Sequence, residues 1–259
     1  MKLEYADLIS GDAIYIDNIG HVRSPYLREL KPTSGVGWNK YALYINLFAW
    51  NKKQLLENAK KLSILGLRAL EKAPENFECF DIMTLIPQIK MLLAEAIAFF
   101  MTDDRIGWDD KEKSYIVFDK ESKVVGKINR NNFKQFSDII LQLNYVGLSK
   151  DKAPASPEKS SKEALSRWEK AQQYLAKQAQ TSTKKEDSEY SLGNIISKLC
   201  VVHPSYNLLN VYELTVFQLY DQFFQYNYIR TVDLNEMIYS NHGGKDFKFG
   251  DWLKNINNN

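Results

Sequence analysis

The chain has 259 residues, of which 44% are hydrophobic and 13% aromatic, enough apolar material for a packed core and too much for global disorder. Lys and Arg number 34 against 32 for Asp and Glu, so the formal charge is only +2. That near balance leaves no broad basic field of the kind that nucleic acid or an anionic membrane attracts.

Order begins with GDAIYIDNIGHVRSPYLREL (11–30), where Ala13, Tyr15 and Asp17 alternate with Ile14 and Ile16. Asn18 to Gly20 supply turn chemistry, which predicts a short β-hairpin closed by Pro25. After Gly35 and Gly37, WNKYALYINLFAW carries Tyr41, Tyr44, Ile45, Leu47 and Phe48 in a strongly apolar helix. A second helix follows from Asn51, with Leu55, Ala59, Leu62 and Leu65 at helical spacing and a stop at Pro74. Pro87 suits the first turn of a third helix, whose stripe is Ile89, Leu92, Leu93, Ala96, Ile97 and Phe100. The passage MTDDRIGWDDKEK reads as a solvated loop, and SYIVFDKESKVVGKI (114–128) as a second hairpin turning at Lys120-Glu121. Phe133, Phe136, Ile139, Ile140, Leu143 and Val146 then mark a fourth amphipathic helix.

Composition changes abruptly at Ser149, where the chain becomes rich in Lys, Ser, Ala and Pro up to Glu189. The ends of this stretch read as linker, and residues 162–178 as a helix with a narrow stripe of Leu165, Trp168, Ala171, Tyr174 and Leu175. Apolar density returns in SLGNIISKLCVV, with Leu192, Ile195, Ile196, Leu199 and Val202 on one face. The expected fold class is therefore α+β and predominantly helical. It comprises an N-terminal domain over 1–148 with two hairpins and about four helices, a linker over 149–189, and a small helical domain over 190–259.

The most apolar run, Met91 to Met101, contains Glu95 and falls short of the roughly 20 apolar residues that span a bilayer. Met1-Lys2-Leu3-Glu4-Tyr5 is polar and mixed, unlike a secretory leader. Cys79 and Cys200 form no disulfide framework and fit a reducing compartment. The expectation is a soluble cytoplasmic protein that binds neither membrane nor nucleic acid.

Chemistry-bearing motifs are sparse. His21, His203 and His242 lie in three different segments, none at a metal-ligand spacing. Asp103-Asp104 and Asp109-Asp110 lack the oxygen spacing of a calcium loop. Gly243-Gly244-Lys245 is followed by Asp246, which would repel phosphate, and no serine sits in a nucleophile elbow. The expectation is a protein with no catalytic residue, no metal and no cofactor.

The densest feature is LTVFQLYDQFFQYNYIR (214–230), with six aromatic residues. On a helix Val216, Phe217, Tyr220, Phe223, Phe224 and Asn227 share one side, with Gln218, Asp221, Gln222 and Gln225 opposite. A base-stacking platform would interleave its rings with Lys and Arg, and Arg230 stands alone at the end. Two readings remain, core packing and a partner-docking face. A domain of some 70 residues buries a smaller share of its surface, so Tyr220, Phe224 and Tyr228 could exceed what it covers. Phe217, Tyr220, Phe224 and Tyr228, with Trp168 and Tyr174 in the linker helix, are the candidate partner-binding residues.

Three passages, the N-terminal hairpin, LGNIISKLCVVHPSYNLLNVYELTVFQLYDQFFQ and HGGKDFKFGDWLKNI, together resemble proteins of the tail modules of phages of low-GC Gram-positive hosts. The nearest family is the tail assembly chaperones, through a pattern around L-T-x-x-Q-L-Y-D-x-F (214–223). The resemblance implies a non-enzymatic tail morphogenesis protein of the host cytoplasm. Its implied partners are the tape measure protein and tail tube subunits, with self-association. Such chaperones often occur as a short and a frameshift-extended form, and the chain's length suits the longer. The alternative is a structural virion component of the tail tip, hub or baseplate.

Overall fold

The computed structural model describes residues 2–62, 76–146 and 192–242. In chain order the elements are α1 (Tyr5–Ser10), β1 (Ile14–Ile16), β2 (Gly20–Val22), a 3-10 turn (Leu27–Leu30), α2 (Trp38–Ala49) and α3 (Lys52–Leu62). Then come α4 (Cys79–Leu85), α5 (Pro87–Phe100), β3 (Arg105–Asp109), β4 (Ser114–Phe118), β5 (Val124–Ile128) and α6 (Phe133–Leu143). Last are α7 (Leu192–Val202), a 3-10 turn (Val211–Glu213) and α8 (Val216–His242). The fold is α+β and mostly helical, as the periodicities predict. Trp168, Tyr174 and the expected helix over 162–178 lie outside the described residues.

The core is a helical layer of α2, α5 and α6 with small sheets at its side. Tyr41, Tyr44, Ile45, Leu47 and Phe48 of α2 meet Ile89, Leu93, Ile97 and Phe100 of α5 and Phe133, Phe136, Ile139 and Ile140 of α6, all buried. The Phe48 ring lies edge-on to Phe100 at 5.8 Å and to Phe136 at 5.6 Å, the arrangement the ring quadrupole favours. Pro87 opens α5, and the Asp81 carboxylate accepts the Glu78 amide at the start of α4. Among the described residues no single helix is long and apolar enough to cross a membrane; α4 and α5 reach that length only together, across a 114° bend.

β1 and β2 form the expected hairpin, Ile14 facing Val22 and Ile16 facing Gly20. The second sheet has three strands in the order β3-β4-β5, all antiparallel. Here the expected loop over MTDDRIGWDDKEK is corrected: within it Arg105–Asp109 is an edge strand paired to β4. Its half-exposed, charged sequence hides the alternation that a buried strand would display. The sheets meet where the Lys127 amide donates to the Asn18 carbonyl at 2.8 Å. Gly126 permits that approach, since a Cβ there would stand 2.3 Å from the Ile19 carbonyl oxygen.

The C-terminal helices were expected to form their own domain, but residues 211–224 complete the N-terminal core. Val211, Val216, Phe217, Leu219, Tyr220 and Phe224 belong to one buried cluster with Leu8, Val22, Leu27 and Tyr145. Thr215 bridges Tyr26, the Leu27 amide donates to the Leu214 carbonyl at 2.9 Å, and the Val216 amide donates to the Pro25 carbonyl at 2.9 Å. The Gln218 side-chain amide donates to the Ile9 carbonyl at 2.9 Å, seating α8 on the end of α1. A boundary drawn from composition marks where apolar density drops, and says nothing of which segments later pack together.

Candidate partner-binding surface

α8 has two unlike halves. Its first three turns are enclosed: Tyr145 stacks on Phe224 at 5.3 Å and lies 5.2 Å from Phe217 and 6.2 Å from Tyr220. Tyr145 reaches this position from a left-handed backbone (φ 60°) just past α6, a conformation bulky residues seldom adopt. Burial pushes its hydroxyl pKa well up, with the Asp221 charge adding to the effect. Asp221 is fully buried and accepts the Tyr5 hydroxyl at 3.0 Å.

Phe217, Tyr220 and Phe224 are thus interior residues, 0%, 4% and 5% exposed. The expectation that they face a partner is corrected, because the core they join is larger than a 70-residue domain offers. Tyr228 is half-buried. Asp221, expected on the polar side, is inside instead.

The exposed apolar surface lies elsewhere in the same segment. Of eleven large hydrophobic residues exposed among the described residues, seven fall in 192–242: Val201, Val202, Leu208, Leu209, Ile229, Leu234 and Met237. α7 turns Ile195, Ile196 and Leu199 inward, while Val202, expected on that face, is 41% exposed at its end. α7 and α8 enclose a cleft of about 240 Å³ bounded by Lys198, Val201, Val202, Phe223 and Tyr226.

Beyond α7 the chain turns through His203 to Asn210 on a polar frame. The Asn207 side chain accepts the Leu209 amide at 2.8 Å, the Asn210 side chain accepts the Asn207 amide at 2.8 Å, and the Asn210 side-chain amide donates to the Ser205 carbonyl at 2.9 Å. His203 and Tyr206 stack at 4.3 Å. Between the two asparagines Leu208 and Leu209 stand 63% and 91% exposed. A turn that satisfies its own polar groups while holding two leucines in water costs hydration free energy, which a partner's apolar surface would recover. Sequence reasoning passed over these residues; the signal was the apolar pair in Asn207-Leu208-Leu209-Asn210.

Elsewhere, the His21 ring approaches the Asp103 carboxylate at 3.1 Å, the same carboxylate accepting the His21 amide at 2.8 Å. This fastens β2 to the chain beyond α5. Among the described residues no group of three or more His, Cys, Asp or Glu side chains could hold a metal ion. Cys79 and Cys200 are free, and burial raises the pKa of both thiols.

The fold and this surface define a small α+β protein that presents ordered apolar side chains to solvent. Residues 183–257 match the family model of the YomV second domain, a segment that contains α7, the leucine turn and α8. No curated protein and no solved structure matches at a significant level.

Proposed function

We propose that this is a non-enzymatic phage protein of tail morphogenesis, a tail assembly chaperone that holds an apolar segment of the tape measure protein or of tube subunits in the host cytoplasm. The carrying observation is the Asn-framed turn that exposes Leu208 and Leu209, inside the segment matched to the YomV second domain. A chaperone needs an apolar surface that is ordered before its client arrives, so that little conformational entropy is lost on binding. The turn meets that demand, whereas Phe217, Tyr220 and Phe224 are buried. The resemblance around Leu214 to Phe223 supports the tail assignment, since those residues form the scaffold from which the turn projects.

The full chain, co-expressed with the tape measure protein of the same phage, should retain it on affinity capture. The double variant Leu208→Ser, Leu209→Ser should fold normally and lose most of that retention. Retention unchanged in the double variant would overturn the assignment of the surface. Mass spectrometry of purified particles tests the role itself, because a chaperone is absent or strongly depleted. Presence at a fixed copy number would favour a structural component of the tail tip, hub or baseplate.

A further inference from the structure

The distal half of α8 carries a face unlike the enclosed half before it. Tyr226, Ile229, Arg230, Asp233, Leu234 and Met237 lie within a single sector of the helix, at the spacing i, i+3, i+4, i+7, i+8 and i+11. Ile229, Leu234 and Met237 are 40%, 42% and 59% exposed, and Arg230 and Asp233 are exposed beside them. Val232, on the opposite side, is buried at 7%, so the helix keeps one side on the protein and turns this one outward.

The order of these residues is self-complementary. About a two-fold axis passing between residues 231 and 232, an antiparallel second helix sets Tyr226 against Met237 and Arg230 against Asp233, with Ile229 and Leu234 on the flanks of the contact. Each pair matches in chemistry, an aromatic ring with a thioether and a cation with a carboxylate, and the flanking chains are aliphatic. Isologous contact of this kind requires that one patch fit its own copy, and a helix face satisfies it only when charge and apolar positions mirror each other about a centre.

We infer that the protein self-associates through this face, α8 of one copy lying antiparallel to α8 of another with two reciprocal Arg230–Asp233 ion pairs. Six side chains per copy give an area below the roughly 1,200–2,000 Å² of stable complexes, so the dimer is weak and depends on concentration. The inference does not rest on the tail assignment.

Sedimentation of the full chain from micromolar to near-millimolar concentration tests it. The expected result is a reversible monomer–dimer equilibrium. Arg230→Asp or Asp233→Arg alone should weaken the dimer by about tenfold or more, since each puts like charges across both symmetric contacts. The double variant Arg230→Asp, Asp233→Arg should restore it, and an equimolar mixture of the two single variants should form heterodimers. Both side chains involved are exposed, so circular dichroism should give the same helicity in every variant. A chain that stays monomeric throughout, single variants that dimerise as well as the parent, or a double variant without rescue would each overturn the inference. Retention of the tape measure protein is measured separately and is unaffected by these substitutions, so either idea can fail alone.

Discussion

The Tyr5 hydroxyl donates to the fully buried Asp221 carboxylate across most of the length of the chain. A carboxylate inside a core is tolerated only where donors surround it, so Tyr5→Phe should cost about 1–3 kcal/mol in urea unfolding. Phe217→Ala, which empties space against Tyr145 in the same cluster, should cost about 3–5 kcal/mol. Ser114 contrasts with both: its hydroxyl oxygen is buried with no hydrogen-bond partner. Ser114→Ala should therefore be neutral or slightly stabilising by the same measurement. Local spacing could not have ranked these three positions. Phe217 reads as apolar on any helical face, whereas Asp221 and Ser114 take their burial from segments distant in sequence.

Among elements, the ion-paired first 3-10 turn shows how the C-terminal segment is held. Arg23 donates to both oxygens of Glu29 at 2.5 and 2.7 Å, Arg28 pairs with Glu213, and the Lys31 ammonium lies 3.9 Å over the Tyr212 ring. Burial alone would raise the Glu29 pKa, but hydrogen bonds from Arg23 and the Tyr26 amide, with the Arg23 and Arg28 charges, bring it below its ordinary 4.5. A depressed carboxylate pKa adds stability above the unfolded value and loses it as pH falls through the folded one. The stability difference between the parent and Glu29→Gln should thus be largest near neutrality and shrink as pH drops below about 4.5, measured by urea unfolding across pH. Removing α8 should do far more. A chain ending before Val216 should lose cooperative unfolding, because it lacks the side chains that close the core over Leu8 and Tyr145. Most elements were legible from period and punctuation: α2, α5, α6, α7, α8, both hairpins and the proline that opens α5. β3 was hidden by Arg105, Gly107 and Asp109, which suit an edge more than an alternating strand. α1 and α4 were too short to establish a period.

At the scale of the molecule the interior is unusually phenolic. Tyr41, Tyr115 and Tyr145 all have hydroxyl pKa values raised above 10.0, in each case chiefly by burial. Raised values mean that the fold holds the neutral form. That contribution is complete below the unfolded value near 10.0 and is lost as pH rises beyond it. Alkaline titration should show tyrosinate absorbance appearing together with loss of helicity, for these three residues, rather than before it. What the sequence could not supply was the joining of its two ends, since a hydrophobic period identifies a face and never its partner.

That joining sets a timetable for synthesis. When residue 146 leaves the ribosome, α2, α5 and α6 can already touch, but Leu8, Leu27 and Tyr145 still lack their cluster neighbours from residues 211–224. Some seventy further residues must follow before Phe217, Leu219 and Tyr220 arrive, so the nascent chain carries an open hydrophobic seam through this interval. Any shorter translation product that stops upstream of Val216 would inherit that seam permanently and become a client of the cell's folding machinery, not a working molecule in its own right.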